Sequence, residues 1–166
     1  SNAVVIFAPS NDAKGALITQ NKINGGANTG GATRGIAFES ASWPPPSPGA
    51  QAEITLNAIK GGVATNGNSY GIATFAAGDG VTIFDNDITA GSAAAGNTGG
   101  SAFAIAAAGN PLMGVLTIER NRINLDPASV GTCTAAGTTL SLPWCGGIDS
   151  QASRSVIVNN VVFGTK

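Results

Sequence analysis

Isoleucine and valine punctuate this chain in a pattern that repeats. Five segments share the form Ile-x-x-Asn-x-Ile/Val: residues 18–23, 54–59, 83–88, 118–123 and 157–162. Their asparagines are Asn21, Asn57, Asn86, Asn121 and Asn160, spaced 36, 29, 35 and 39 residues apart. A weaker apolar motif alternates with the first. It reads Val4-Val5-Ile6-Phe7, Gly35-Ile36-Ala37-Phe38, Gly71-Ile72-Ala73-Thr74, Phe103-Ala104-Ile105-Ala106 and Gly146-Gly147-Ile148-Asp149. Successive residues of a strand face opposite sides, so each Ile-x-x-Asn-x-Ile unit predicts two short strands joined by a bend, with both isoleucines inward. One such unit cannot bury its apolar side alone, and stacking of the units creates the core.

No hydrophobic reason places an asparagine at each bend. Asparagine tolerates left-handed backbone, and its side chain bonds to nearby main chain. Repeated at one corner, its amide would bond the amides above and below as a ladder.

The five Asn-bearing bends cover nearly all of residues 4–163, and they resemble the pectin-lyase-like family of right-handed parallel β-helices. That resemblance implies an all-β, single-stranded right-handed parallel β-helix, a solenoid of about 4–5 coils with an Asn ladder and irregular insertions. At roughly 4.8 Å per coil it would be about 20–25 Å long. An antiparallel sandwich also explains alternation. It does not explain one Asn at a constant offset from Ile.

The length suits a single domain, placed at 4–166. Ser1-Asn2-Ala3 reads as a remnant of tag cleavage, and no signal peptide follows, so a segment of a longer exported chain is expected. The chain begins on core-like Val4-Val5-Ile6-Phe7 and stops just after Val161-Val162-Phe163, with neither end sealed. Open coil edges invite pairing, so end-to-end self-association is a further expectation.

Charge narrows the function. Only 10% of residues are charged and the net charge is −1, which leaves no basic surface to neutralise phosphates, so nucleic acid is not an expected partner. No apolar run has the length of a transmembrane helix. The absence of histidine removes His-based acid–base catalysis, His-ligated metal sites and Ser-His-Asp triads. No cofactor and no metal site are expected. Cys133 and Cys145 flank a Thr/Ala/Gly-rich loop and read as a disulfide contributing about 3 kcal/mol, the alternative being two thiols of a cytosolic protein.

The connections 24–34, 60–70, 89–102 and 124–145 vary in length and leave the coil at one corner, which predicts insertions gathered on one side as a binding face. Trp43 precedes a proline-rich spur, Pro44-Pro45-Pro46-Ser47-Pro48. It is a possible ligand contact, or else a stiff loop lying over an end of the core. Trp144 is expected beside the disulfide.

Candidate chemistry is sparse. Asp85 and Asp87 flank Asn86, Asp79 lies just before, and Glu119, Arg120 and Arg122 occupy the matching bend one coil later. Adjacent coils would bring Asp85 and Asp87 near Arg120 and Arg122. The plain reading is ion pairing across a solvated face. The functional readings are a carboxylate–arginine lyase or hydrolase site, with these four as weak catalytic candidates, or a loose cation site. Asp149 and Glu39 face out elsewhere, with no acidic neighbours between them. The resemblance implies several Asp and a His near the cleft of a pectin-degrading hydrolase, and this chain departs from that. Thr19 and Thr55 match, but Phe84 and Glu119 break the array that an ordered lattice-binding face would need.

The expected function is therefore a non-catalytic structural, adhesive or glycan-contacting module. Its expected setting is a secreted, periplasmic or cell-surface bacterial protein, with polysaccharide or other cell-surface components as partners. The alternative is a fragment of a polysaccharide lyase or glycoside hydrolase.

Overall fold

The computed structural model describes residues 1–8, 16–40, 52–65, 67–74, 81–93, 101–107, 115–125, 145–151 and 154–164. These residues are all-β, without a helix, and every strand pairing in them is parallel. Sheet A stacks β1 (Asn2–Ala8), β5 (Thr33–Ser40), β9 (Ser69–Thr74), β13 (Ala102–Ala107) and β16 (Cys145–Ser150) in that order. Sheet B stacks β2 (Ala16–Thr19), β6 (Ala52–Thr55), β10 (Val81–Phe84), β14 (Leu116–Glu119) and β17 (Ser155–Val158). Sheet C stacks β3 (Lys22–Asn24), β7 (Ala58–Lys60), β11 (Asp87–Thr89), β15 (Arg122–Leu125) and β18 (Val161–Gly164). A narrow sheet D joins β4 (Ala27–Asn28), β8 (Val63–Ala64) and β12 (Ser92–Ala93). The described strands run A, B, C and D in turn three times and then A, B and C twice, an arrangement compatible with a parallel β-helix.

In-register stacking turns the repeat into columns. Ile18, Ile54, Ile83, Ile118 and Ile157 align in sheet B, and Ile23, Ile59, Ile88, Ile123 and Val162 in sheet C. Ile36, Ile72, Ile105 and Ile148 align in sheet A. The inner isoleucines of these columns are fully buried, and each contributes about 1.5–3 kcal/mol by leaving water.

Alternation fails at one column of sheet A. Gly35 and Ile36 follow each other, yet both meet the core: a Cβ on Gly35 would lie 2.8 Å from Ile59 Cγ2 and 2.6 Å from the Gly71 carbonyl oxygen. Sheet C packs close against sheet A there, and glycine allows the approach. On either side of this position Tyr70, Ala73, Phe103 and Ala106 form a second small apolar cluster.

Sheet D occupies the starts of three connections expected to be irregular. Its two-residue strands show no hydrophobic alternation. They are held by main-chain bonds, such as Val63 N–H to Gly26 O at 2.8 Å and Ser92 N–H to Gly62 O at 3.0 Å. Ser1 and Asn2, set apart in the sequence reading, join sheet A: Arg34 N–H donates to Ser1 O at 2.9 Å, and Asn2 pairs with Arg34.

Candidate functional site

The corner between sheets B and C carries the asparagines. The sequence reading assigned the left-handed turn to Asn itself, but the structure places it one residue earlier. Gln20, Leu56, Asp85, Arg120 and Asn159 have φ of 57°, 58°, 55°, 52° and 56°. Asparagine follows the turn and spends its side chain on hydrogen bonds instead. The Asn86 backbone N–H donates to Asn121 Oδ1 at 3.0 Å, and Asn86 Nδ2 donates to Ile54 O, Phe84 O and the same Oδ1 at 2.8, 2.9 and 3.0 Å. Asn57 and Asn121 repeat this scheme, and each is at most 2% exposed. A buried carbonyl that no longer turns inside a sheet needs a donor, and the carboxamide supplies one.

At the same corner, Arg120 reaches one strand back to Asp85. Its Nε lies 2.9 Å from Oδ1 and its Nη2 lies 3.0 Å from Oδ2, while Nη1 bonds Glu119 Oε1 at 2.6 Å. The Arg120 guanidinium also lies over the Phe84 ring, 5.6 Å from its centre. The hydrogen bond from Arg120 holds the Asp85 carboxyl below its ordinary range, and that bond in turn raises the guanidinium. A carboxylate so held is a poor proton carrier near neutral pH.

Asp87 and Arg122 take a different place. They are direct partners in sheet C, yet no ion pair joins them among the described residues. Arg122 instead lies over the Phe163 ring at 5.1 Å. Both open onto a shallow groove of about 270 Å³ along the outer face of sheet C. Lys22, Lys60, Thr89 and Asn124 also line it, together with Ile23 and Ile59. Lys22, Lys60 and Arg122 are exposed, and no ion pair engages them among the described residues. Sequence reasoning missed Lys22 and Lys60, because only the pairing register shows that they share a face with Arg122.

A second hollow of about 320 Å³ lies outside sheet A, lined by Tyr70, Ser101, Phe103, Asp149 and Gln151. Gln151 Nε2 lies 3.4 Å from Asp149 Oδ2. Burial raises the Tyr70 phenol above its ordinary value, against the lowering by Asn68 and Arg34. Tyr70 and Phe103 are each 8% exposed, too little for a stacking platform.

Glu39 pairs with Phe7 through the backbone of sheet A. Trp43, Asp79, Cys133 and Trp144 lie outside the described residues, and with them the Trp43 contact and the Cys133–Cys145 pairing; Cys145 opens β16. Among the described residues, no group of three or more acidic or cysteine side chains could hold a metal ion, and no helix is long and apolar enough to cross a membrane. No family model matches the chain, and neither curated proteins nor solved structures give a significant match.

Proposed function

We propose that this chain is a non-catalytic, glycan-contacting module, a right-handed parallel β-helix of the pectin-lyase-like kind from a secreted or surface bacterial protein, spanning 4–166 as one domain. The observation that carries this reading is the groove of sheet C. It offers three cations that no ion pair engages among the described residues, against one carboxylate, Asp87, and beside the hydroxyl of Thr89 and the amide of Asn124. Such a set suits the carboxylates and hydroxyls of an acidic oligosaccharide laid across the strands. Asp85, by contrast, is engaged by Arg120. Lys22, Lys60 and Arg122 stand on β3, β7 and β15, about 4.8 Å apart from strand to strand, with Asp87 and Thr89 on the intervening β11.

The test is titration with acidic and neutral oligosaccharides, followed by calorimetry at two salt concentrations. Acidic chains should bind, more weakly at high salt, and Lys60→Ala with Arg122→Ala should weaken binding about tenfold or more. Equal binding of neutral chains, or no effect of the double substitution, would overturn the reading. A polysaccharide lyase or hydrolase is the second reading, favoured by Asp149 beside Tyr70 and Gln151 in the hollow of sheet A. Release of new chain ends from the same oligosaccharides, lost in Asp149→Asn, would select it.

A further inference from the structure

Three successive strands of sheet C carry charges of alternating sign on the face that lines the groove. Lys60 stands on β7, Asp87 with Thr89 on β11, and Arg122 with Asn124 on β15. Each of these strands has a neighbour on both sides, so the pattern belongs to the interior of the stack and owes nothing to either end. We propose that the groove selects a glycan in which acidic sugars alternate with uncharged ones. The acids sit on Lys60 and Arg122, and the uncharged sugar sits between them on Asp87 and Thr89. This selectivity rests on the glycan-contacting role proposed for the groove and narrows its substrate class.

Asp87 sets the middle position. It is exposed and faces Arg122 in register, yet no ion pair or side-chain hydrogen bond engages its carboxylate among the described residues. Arg122 lies instead over the Phe163 ring of β18, on the side away from β11. The oxygens of Asp85, by contrast, are already taken by Arg120. A free carboxylate offers only acceptors, so it holds sugar hydroxyls and repels a second carboxylate.

Spacing sets the alternation. Neighbouring strands lie about 4.8 Å apart, which puts the levels of Lys60 and Arg122 about 10 Å from each other. A pyranose unit of an extended chain spans roughly one strand spacing. Sugars on β7 and β15 are therefore separated by one sugar, and that sugar falls on β11. In a uniformly acidic chain it would set its carboxylate against Asp87, and like charges about 4 Å apart cost about fivefold in affinity even in water.

Calorimetry on the whole chain tests this with two probes of equal length, an oligomer of galacturonic acid and one of alternating glucuronic acid and N-acetylglucosamine. The uniform probe carries the greater charge, so attraction to the cations alone ranks it first. The alternating probe should nevertheless bind more tightly. Asp87→Asn keeps a hydrogen-bonding side chain at an exposed position, so it spares the fold. It should raise affinity for the uniform probe about fivefold and change the alternating probe by less than about twofold. Glu53→Gln removes an exposed carboxylate from β6 of sheet B, and should leave the ratio of the two affinities unchanged. Equal or tighter binding of the uniform probe to the unaltered chain would overturn the selectivity. So would an unchanged ratio in Asp87→Asn, or the same shift in Glu53→Gln. Binding that still depends on Lys60 and Arg122 would in those cases leave the glycan-contacting role standing, whereas failure of both probes to bind would remove the two together.

Discussion

Arg120 grips Asp85 at two points, Nε to Oδ1 at 2.9 Å and Nη2 to Oδ2 at 3.0 Å, and both residues sit in left-handed backbone. They belong to neighbouring strand levels, so the pair ties together two turns that each carry backbone strain. Both side chains remain substantially exposed, and salt and water screen the attraction.

The pair predicts a pH dependence of defined sign. The Asp85 carboxyl is depressed in the folded chain, so its stabilising effect is complete above the unfolded value of about 3.9. It is lost as pH falls through the lower folded value. Thermal melts between about pH 5 and about pH 2 should show a drop that is smaller in Arg120→Ala. An equal drop in the two proteins would place the acid-sensitive group elsewhere.

The ladder predicts a contrast between its middle and its end. Asn86→Ala removes the donor for Ile54 O and Phe84 O and the acceptor for the Asn57 N–H, the bonds to Ile54 and Asn57 buried and that to Phe84 partly so. Leaving such groups unsatisfied costs about 1–3 kcal/mol each. Asn160→Ala strips an end where water reaches, and should cost about 1 kcal/mol. Urea unfolding of the two variants gives the comparison, and equal losses would mean that the buried amides are not what the middle of the stack depends on.

Leu56 offers the opposite sign. It is 56% exposed with φ 58°, so its side chain gains little from packing while its backbone is strained. Leu56→Gly should raise stability by about 1 kcal/mol, because glycine enters the left-handed region without penalty. Leu17, 63% exposed but in the extended strand β2, is the control, and glycine there should lower stability by about 0.5–1 kcal/mol. A gain at both positions, or at neither, would rule out backbone strain as the cause.

Some of this was legible in the chain alone. The offset of asparagine from isoleucine is local, and a strand's two-residue period converts it directly into inward columns and a bend. Ile54, Ile83 and Ile118 could thus be read as one stack, because every unit carries the same spacing. The turn itself was misplaced by one residue. Gln20, Leu56, Asp85, Arg120 and Asn159 share no side-chain type, so nothing in their chemistry marked the left-handed position. Sheet D escaped notice for a similar reason, since Val63-Ala64 and Ser92-Ala93 bond through main chain and have no apolar pattern.

By itself, then, the sequence determined the strands, the inward columns and the polar residue at each corner, because these follow from spacing within a few residues. Only the tertiary structure decided which charges meet. Asp85 and Asp87 are two residues apart, yet one is bound by Arg120 and the other opens onto a groove with Lys22, Lys60 and Arg122. The left-handed turn at Asp85 sends its side chain off the corner, while Asp87 stands on the pleated face of the next sheet. Connections of unequal length separate Lys22, Lys60 and Arg122 along the chain, and it is the register of stacked backbones, set by core packing, that gathers them on one face.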